Sequence, residues 1–269
     1  MWVSAFCHEV EMKVDYTTVT EIPGVKASKE QLARFYQRYR FALQLCQRKQ
    51  VLEVACGAGQ GLGYMAKVAG RVVGGDIDAN NLKFAQRHYA GRANIELRLL
   101  DAHGLPFEDR TFDVVILYEA IYYLAQPEKF VDEARRVLRK GGTLIVCTVN
   151  KEWPDFNPSP YSTRYLSGQE LHQLLGERFP DVQLYGAFRV TAGSLKDRIT
   201  SSVKRIAIAL HIVPKTMKSK ELFKRIFFGK LISLPAEVED GMAEYCEPVP
   251  IAIDSPSFEY KVLFAVARD

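Results

Sequence analysis

Cysteine is sparse and unpatterned in this 269-residue chain: Cys7, Cys46, Cys56, Cys147 and Cys246 are odd in number, widely spaced and include no C-x-x-C pair. They spell neither a disulfide framework nor a zinc site, so a reduced, cytoplasmic setting and no metal are expected. Long apolar runs are missing too. The longest, RIAIALHIVP, is too short to span a bilayer and contains His211. The first ten residues, MWVSAFCHEV, carry no basic stretch followed by an apolar one, and no secretory signal is expected. Charge of one sign hardly dominates, because the net charge of +4 is mild and does not by itself argue for a nucleic-acid partner. Internal repeats and low-complexity segments are absent. What remains, 48% hydrophobic and 25% charged residues, is ordinary globular material, long enough for one large domain with an elaboration.

The informative stretch is VLEVACGAGQGLGYMA, Val51 to Ala66. Val51, Leu52 and Val54 suit a strand buried on both faces, and Gly57, Gly59, Gly61 and Gly63 let the backbone pass close to a ligand and present N–H groups at a helix start. Such a turn also serves dinucleotides, or simply joins a strand to a helix. A phosphate-binding loop is disfavoured because no Gly-Lys-Ser/Thr comes after it.

Five ordered signals from Val51 to Val149 then agree in spacing. They are the loop at Glu53 to Gly59; the strand RVVGGDID ending at Asp76; the strand IELRLL ending at Asp101-Ala102; the strand Phe112 to Tyr118; and Gly141-Gly142 turning into a strand from Thr143 to Val149. This series resembles the class I, seven-strand, Rossmann-like S-adenosylmethionine-dependent methyltransferases. The one departure is Ala55, which stands where the first motif usually has glycine. The resemblance implies S-adenosyl-L-methionine as cofactor and a contact set of Tyr39, Glu53, Ala55, Cys56, Gly57, Gly59, Asp76, Ile77, Asp101, Ala102, Leu117 and Tyr118. In it Asp76 accepts from the ribose hydroxyls, Asp101 and the Ala102 N–H meet the adenine edge, and Leu117 and Tyr118 meet the methionine moiety. Asp78 is expected to cap the next helix rather than touch ribose, and Cys56 is weighed as a small packing residue in the loop.

The alternation of strands and helices predicts an α/β, doubly wound, mostly parallel seven-strand sheet. Its core is expected over residues 47–190 with 256–269, behind an N-terminal segment and covering helix over 1–46. Ser28 with Gln31 makes a capping box for that helix, whose Tyr36 and Tyr39 are either cofactor contacts or core aromatics. Strand six is placed at Asp181 to Phe188 and strand seven at Phe258 to Arg268. Residues 191–255 between them form an insertion read as a basic helical cap. Ten lysines and arginines from Lys196 to Lys230 face only Asp197 and Glu221 there. Three readings stay open for it: a wall for the acceptor, a peripheral membrane or lipid-linked-substrate surface over 194–232, or a solvated charged face.

A sulfonium methyl donor is already activated, so the protein mainly aligns an acceptor and excludes water, with a base useful for a hydroxyl acceptor. Glu119, Tyr122 and Tyr123, just after the fourth strand, point toward the acceptor or the helix behind it. Tyr122, Tyr123 and His211 are the candidate catalytic residues, with orientation or packing the better role for the tyrosines and a structural role open for the histidine. Trp153, Phe156 and Tyr161 are candidates for a pocket rim. The expected activity is methylation of a small-molecule acceptor, foremost at oxygen, in specialised-metabolite or sugar and glycolipid biosynthesis. N- or C-methylation, an RNA- or protein-directed enzyme docking through the basic insertion, and a non-catalytic cofactor-binding regulator are the alternatives.

Overall fold

The structure is a computed structural model and describes residues 20–159, 161–190, 231–254 and 256–269. Its centre is a sheet of seven long strands: β2 (Gln50–Val54), β3 (Arg71–Asp76), β4 (Ile95–Leu99), β5 (Phe112–Tyr118), β6 (Leu138–Val149), β7 (Asp181–Arg189) and β10 (Tyr260–Arg268). An eighth, two-residue strand, β9 (Val249–Pro250), extends one edge, giving the order β4-β3-β2-β5-β6-β10-β7-β9. The first five strands run parallel, while β10 lies antiparallel to both β6 and β7. This is the mostly parallel, doubly wound architecture expected from the pattern.

Successive residues of a strand face opposite sides, and this sheet is covered on both. Leu52, Val115 and Leu117 face one layer with Phe130 and Val131 of α4 (Pro127–Val137) and Leu171 of α5 (Gly168–Gly176). Val51, Val114 and Ile116 face the other, against Phe35 and Tyr39 of α1 (Lys29–Leu43), Leu62 of α2 (Leu62–Ala66) and Leu82 of α3 (Ala79–His88). That is why β2 and β5 read as continuous apolar runs. Local signals placed the helix starts. Ser28 and Gln31 form the reciprocal capping box of α1, and the Asp78 carboxylate accepts from Asn80 N at 2.8 Å to cap α3.

One expectation changes in detail. α4 ends at Val137 and β6 begins at Leu138, so Gly141-Gly142 does not precede the strand. Phe112 pairs with Leu138 and Val114 with Thr143, which leaves the glycines inside an irregularity of the pairing, with Gly141 at φ +74°. Tyr36 turns into the packing between α1 and the rest of the fold, its hydroxyl accepting from Gly241 N at 3.2 Å. Residues 191–230, with His211 and the basic positions, lie outside the described residues, but 231–254 are described and contain no helix.

That stretch is a strap across α1, α2 and α3. β8 (Ile232–Ser233) pairs with β1 (Lys26–Ala27) ahead of α1. Val238 is fully buried and donates its N–H to Gln60 O at 2.9 Å, while Gln60 Nε2 donates to Pro235 O at 2.6 Å. Glu237 takes both guanidinium nitrogens of Arg92, at 3.1 and 2.7 Å, and lies 2.9 Å from His88 Nε2. A two-pronged pair with one well-covered partner is expected to contribute more than an exposed ion pair. Glu237→Ala should therefore lower stability by about 1–2 kcal/mol and expose the strap to protease, read by urea unfolding and by mapping the first cleavage sites.

Candidate active site

The strand order reverses on either side of β2, with β3 on one flank and β5 on the other, and a crevice opens there at the carboxyl ends of the strands. It holds a cavity of about 430 Å³, a volume ordinary for a small-molecule site. The glycine turn forms its floor. Ala55, Gly57 and Gly59 all have positive φ (56°, 56° and 73°). For Ala55 this is a left-handed conformation taken without glycine's freedom, a local strain on the order of 1 kcal/mol in the loop itself. Here the Ala55 methyl strains the turn without closing it.

Asp76, at the end of β3, ties the turn to its neighbour. Its carboxylate accepts from Gly57 N at 2.8 Å and from Asp78 N at 2.9 Å, with Asn81 Nδ2 at 3.5 Å. Burial raises the Asp76 pKa, and the two backbone N–H groups pull it part of the way back. Ile77, beside it, is more than half exposed at the cavity mouth. At the end of β4, Asp101 accepts from His103 N at 2.9 Å and faces His103 Nδ1 at 2.7 Å. Partial burial raises its pKa, but the His103 contacts outweigh that and leave it below the usual value. Ala102 lies next to it in the lining.

Glu53 is almost wholly buried under this floor. Tyr39 Oη donates to its Oε1 at 2.9 Å, and among the described residues Oε2 has no hydrogen-bond partner, although Glu53 lines the cavity. Burial pushes the Glu53 carboxyl up to about 7, against the Tyr39 hydrogen bond and the charge of Arg38. A buried carboxylate oxygen without a donor costs free energy unless protonation or a cationic ligand satisfies it. The pKa is raised above its unfolded value of 4.5, so the folded state binds the proton more tightly and the protein loses stability as pH rises from about 4.5 through about 7. Replacement by the uncharged isostere should remove that loss. Relative to wild type at pH 8, Glu53→Gln should gain on the order of 1–3 kcal/mol, and the two should converge at pH 5 in paired urea titrations.

The opposite wall comes from β5 and the turn after it. Tyr118 is buried and donates its hydroxyl to Arg38 O at 2.9 Å. Glu119 has φ +50°, and Tyr122 Oη donates to its Oε2 at 3.0 Å. Tyr122 stacks on Tyr165 at 4.5 Å, while the Tyr123 hydroxyl lies 3.5 Å from Ser159 Oγ. Burial raises the pKa of both tyrosines, which suits orientation and packing rather than proton removal at neutral pH. Cys56 lines the cavity, but burial raises its thiol pKa far above the reactive range, the behaviour of a packing residue.

The cavity thus gathers Tyr39, Glu53, Ala55, Cys56, Gly57, Asp76, Ile77, Asp101, Ala102, Tyr118, Tyr122 and Tyr123 from the residues singled out in the sequence. Two of the expected cofactor contacts, Leu117 and Gly59, lie outside its lining. Leu117 points into the sheet core, fully buried, and Gly59 backs onto α3, where an added Cβ would stand 2.7 Å from that of Ala85. Gly59 is small for packing's sake. Trp153 packs instead against Arg34 and Lys261, and Phe156 against Tyr165, so neither joins the wall. Exposed Tyr161 stays outside it as well.

The sequence pattern does not single out Arg34 and Arg38, one turn apart on α1. Both line the cavity; Arg38 is buried, paired with Glu21 and set over the rings of Phe35 and Tyr39. Nor does the pattern single out Gln60, whose backbone and side chain join the glycine turn to the strap. Among the described residues no group of His, Cys, Asp and Glu is arranged to hold a metal ion, and no helix is long and apolar enough to cross a membrane.

Residues 52–146 match the model of a methyltransferase domain family. A "probable S-adenosylmethionine-dependent methyltransferase" of Mycolicibacterium smegmatis is 33% identical over 57% of this chain and 60% of its own length. A "ubiquinone biosynthesis O-methyltransferase" of Mesorhizobium japonicum is 29% identical over 46% of this chain and 50% of its own. The chain therefore spans less than two thirds of the length of these relatives. A solved Thermotoga maritima structure, described as a "SAM-dependent methyltransferase, possible histamine N-methyltransferase", superposes with a TM-score of 0.55 over 88% of this chain and 91% of its own at 17% identity, a likeness of fold.

Proposed function

We propose that this chain carries an S-adenosylmethionine-dependent, Rossmann-like methyltransferase domain and that the protein transfers a methyl group to a small-molecule acceptor, foremost to oxygen. The observation that carries this reading is the order of carboxylates around one cavity: Glu53 on β2, Asp76 on β3 and Asp101 beyond β4, about a glycine turn with left-handed backbone. S-adenosylmethionine offers groups that match that order, a cationic amine, a ribose diol and an adenine edge. The unsatisfied Oε2 of Glu53 is the test of fit, since a buried acceptor without a donor is suited to an ammonium group.

In this reading Glu53 and Tyr39 hold the amine end, Asp76 and Ile77 the ribose, Asp101 and Ala102 the adenine, and Gly57 leaves room for the chain between. When bound, S-adenosylmethionine supplies a methyl group already activated by its sulfonium. The protein's own work is to orient the acceptor against the Tyr118–Leu124 wall and to keep water out. The O-methyltransferase among the relatives supports oxygen as the target. To test the reading, S-adenosylhomocysteine binding is measured by calorimetry. S-adenosylmethionine with a labelled methyl is then incubated with aqueous and lipid fractions of the source cells. A labelled, base-stable methyl ether supports the proposal; binding without any labelled product would point to a regulator instead.

A further inference from the structure

The candidate base is not one of the tyrosines. Glu119 directly follows β5, where its backbone N–H donates to Cys147 O on β6 at 2.8 Å and its φ of +50° holds a non-glycine residue in the left-handed region. Glu119 lines the cavity together with the aromatic and apolar residues Phe35, Tyr122, Tyr123, Leu124 and Val149. Tyr122 Oη donates to Oε2 at 3.0 Å, whereas among the described residues the contact at Oε1 is the weak Cys147 thiol donor at 3.9 Å. One oxygen is oriented and the other is left to meet an acceptor.

Burial raises the Glu119 pKa, and the charge of Arg38 offsets part of that. Among the described residues, the charged and titratable groups facing it are Arg34 and Arg38 of α1, Glu21 ahead of α1, Cys147 of β6, Tyr122 and Tyr123. A carboxylate moved toward neutral pH is better matched to an acidic hydroxyl, such as a phenol near pKa 10, than to an aliphatic alcohol. The aromatic lining suits a flat ring.

We propose that Glu119 is the general base of the reaction and that the acceptor is a ring-borne hydroxyl of phenol or enol type. The inference rests on the methyltransferase reading of the cavity. In the step, the acceptor O–H proton passes to Glu119 Oε1, the oxygen forms a bond to the methyl carbon, and the carbon–sulfur bond breaks with its electron pair remaining on sulfur. The products are a methyl ether, S-adenosylhomocysteine and a protonated Glu119, which returns its proton to solvent.

The test uses the full chain and 4-nitrocatechol, a phenol whose ionised form absorbs visible light. It is added to the protein saturated with S-adenosylhomocysteine, at a pH where the free probe is mainly un-ionised. The wild-type complex should show the phenolate band, and Glu119→Gln should lose it while S-adenosylhomocysteine affinity stays within about threefold. With S-adenosylmethionine, Glu119→Gln should methylate the probe at least about 100-fold more slowly, and the acid limb of the pH–rate profile should vanish. Tyr122→Phe, which keeps the carboxylate but frees Oε2, should move that limb. Wild-type transfer rates in Glu119→Gln, or a probe bound un-ionised to wild type, overturn the base. A probe that fails to bind the S-adenosylhomocysteine complex at millimolar concentration overturns the acceptor class. A wild-type protein that does not bind S-adenosylhomocysteine removes the methyltransferase reading, and the inference with it.

Discussion

Gly57→Val is expected to abolish S-adenosylhomocysteine binding, a loss of at least about 3 kcal/mol, in a protein that still folds. Gly57 has φ +56°, a conformation in which a β-branched residue is a genuine outlier. A Cβ there would stand 2.9 Å from Thr20 Cγ2, and the two further methyls extend into the space beside a lining residue of the cavity. The turn must then open, and its N–H leaves Asp76. Gly91 supplies the control, since its φ is +86° but nothing lies within 4 Å of an added Cβ. Gly91→Ala should show the backbone strain alone, about 1 kcal/mol of stability, with cofactor affinity intact. Thermal shift with and without S-adenosylhomocysteine separates the two. Normal stabilisation of a folded Gly57→Val protein would show that the turn is not the cofactor's floor.

Asp76→Ala is expected to weaken S-adenosylhomocysteine by roughly 2–4 kcal/mol, on the scale of one or two charge-assisted hydrogen bonds. The residue acts twice. Under the proposed assignment its carboxylate accepts from the ribose hydroxyls, and in the structure it already accepts from Gly57 N and Asp78 N, which fixes the glycine turn against the start of α3. Removal leaves both N–H groups without that acceptor. Asp76→Asn divides the roles by keeping the shape while replacing one accepting oxygen with a donor. Calorimetry on both variants, beside their unfolding midpoints, gives the result. Unchanged affinity in a folded Asp76→Ala protein would take the residue out of the cofactor site.

Much of this was readable along the chain because it depends on neighbours in sequence. The capping box of Ser28 and Gln31, the Asp78 cap and the apolar runs of β2 and β5 are set by residues a few positions apart, and the parallel sheet follows from the strand–helix alternation. So is the glycine turn with its succession of acidic strand ends, since each strand of a parallel sheet delivers its carboxyl end to the same edge. Tertiary structure decided what depends on residues far apart. Arg38 looks like a surface charge on α1, and only the packing of that helix on β2 and β5, with Glu21 brought alongside, buries it in the cavity. Gln60 and Glu237 are 177 positions apart, yet the strap that carries Glu237 also bonds to Gln60. Gly59 and Leu117 belong to matching motifs but face α3 and the sheet core, because a side chain's direction is set by backbone twist and neighbouring volume. Glu119 shows the same division: its place after β5 is legible in the chain. Its left-handed backbone, its burial near Arg38 and the oxygen left beside Tyr122 arise only when β5, β6 and α1 converge on one cavity.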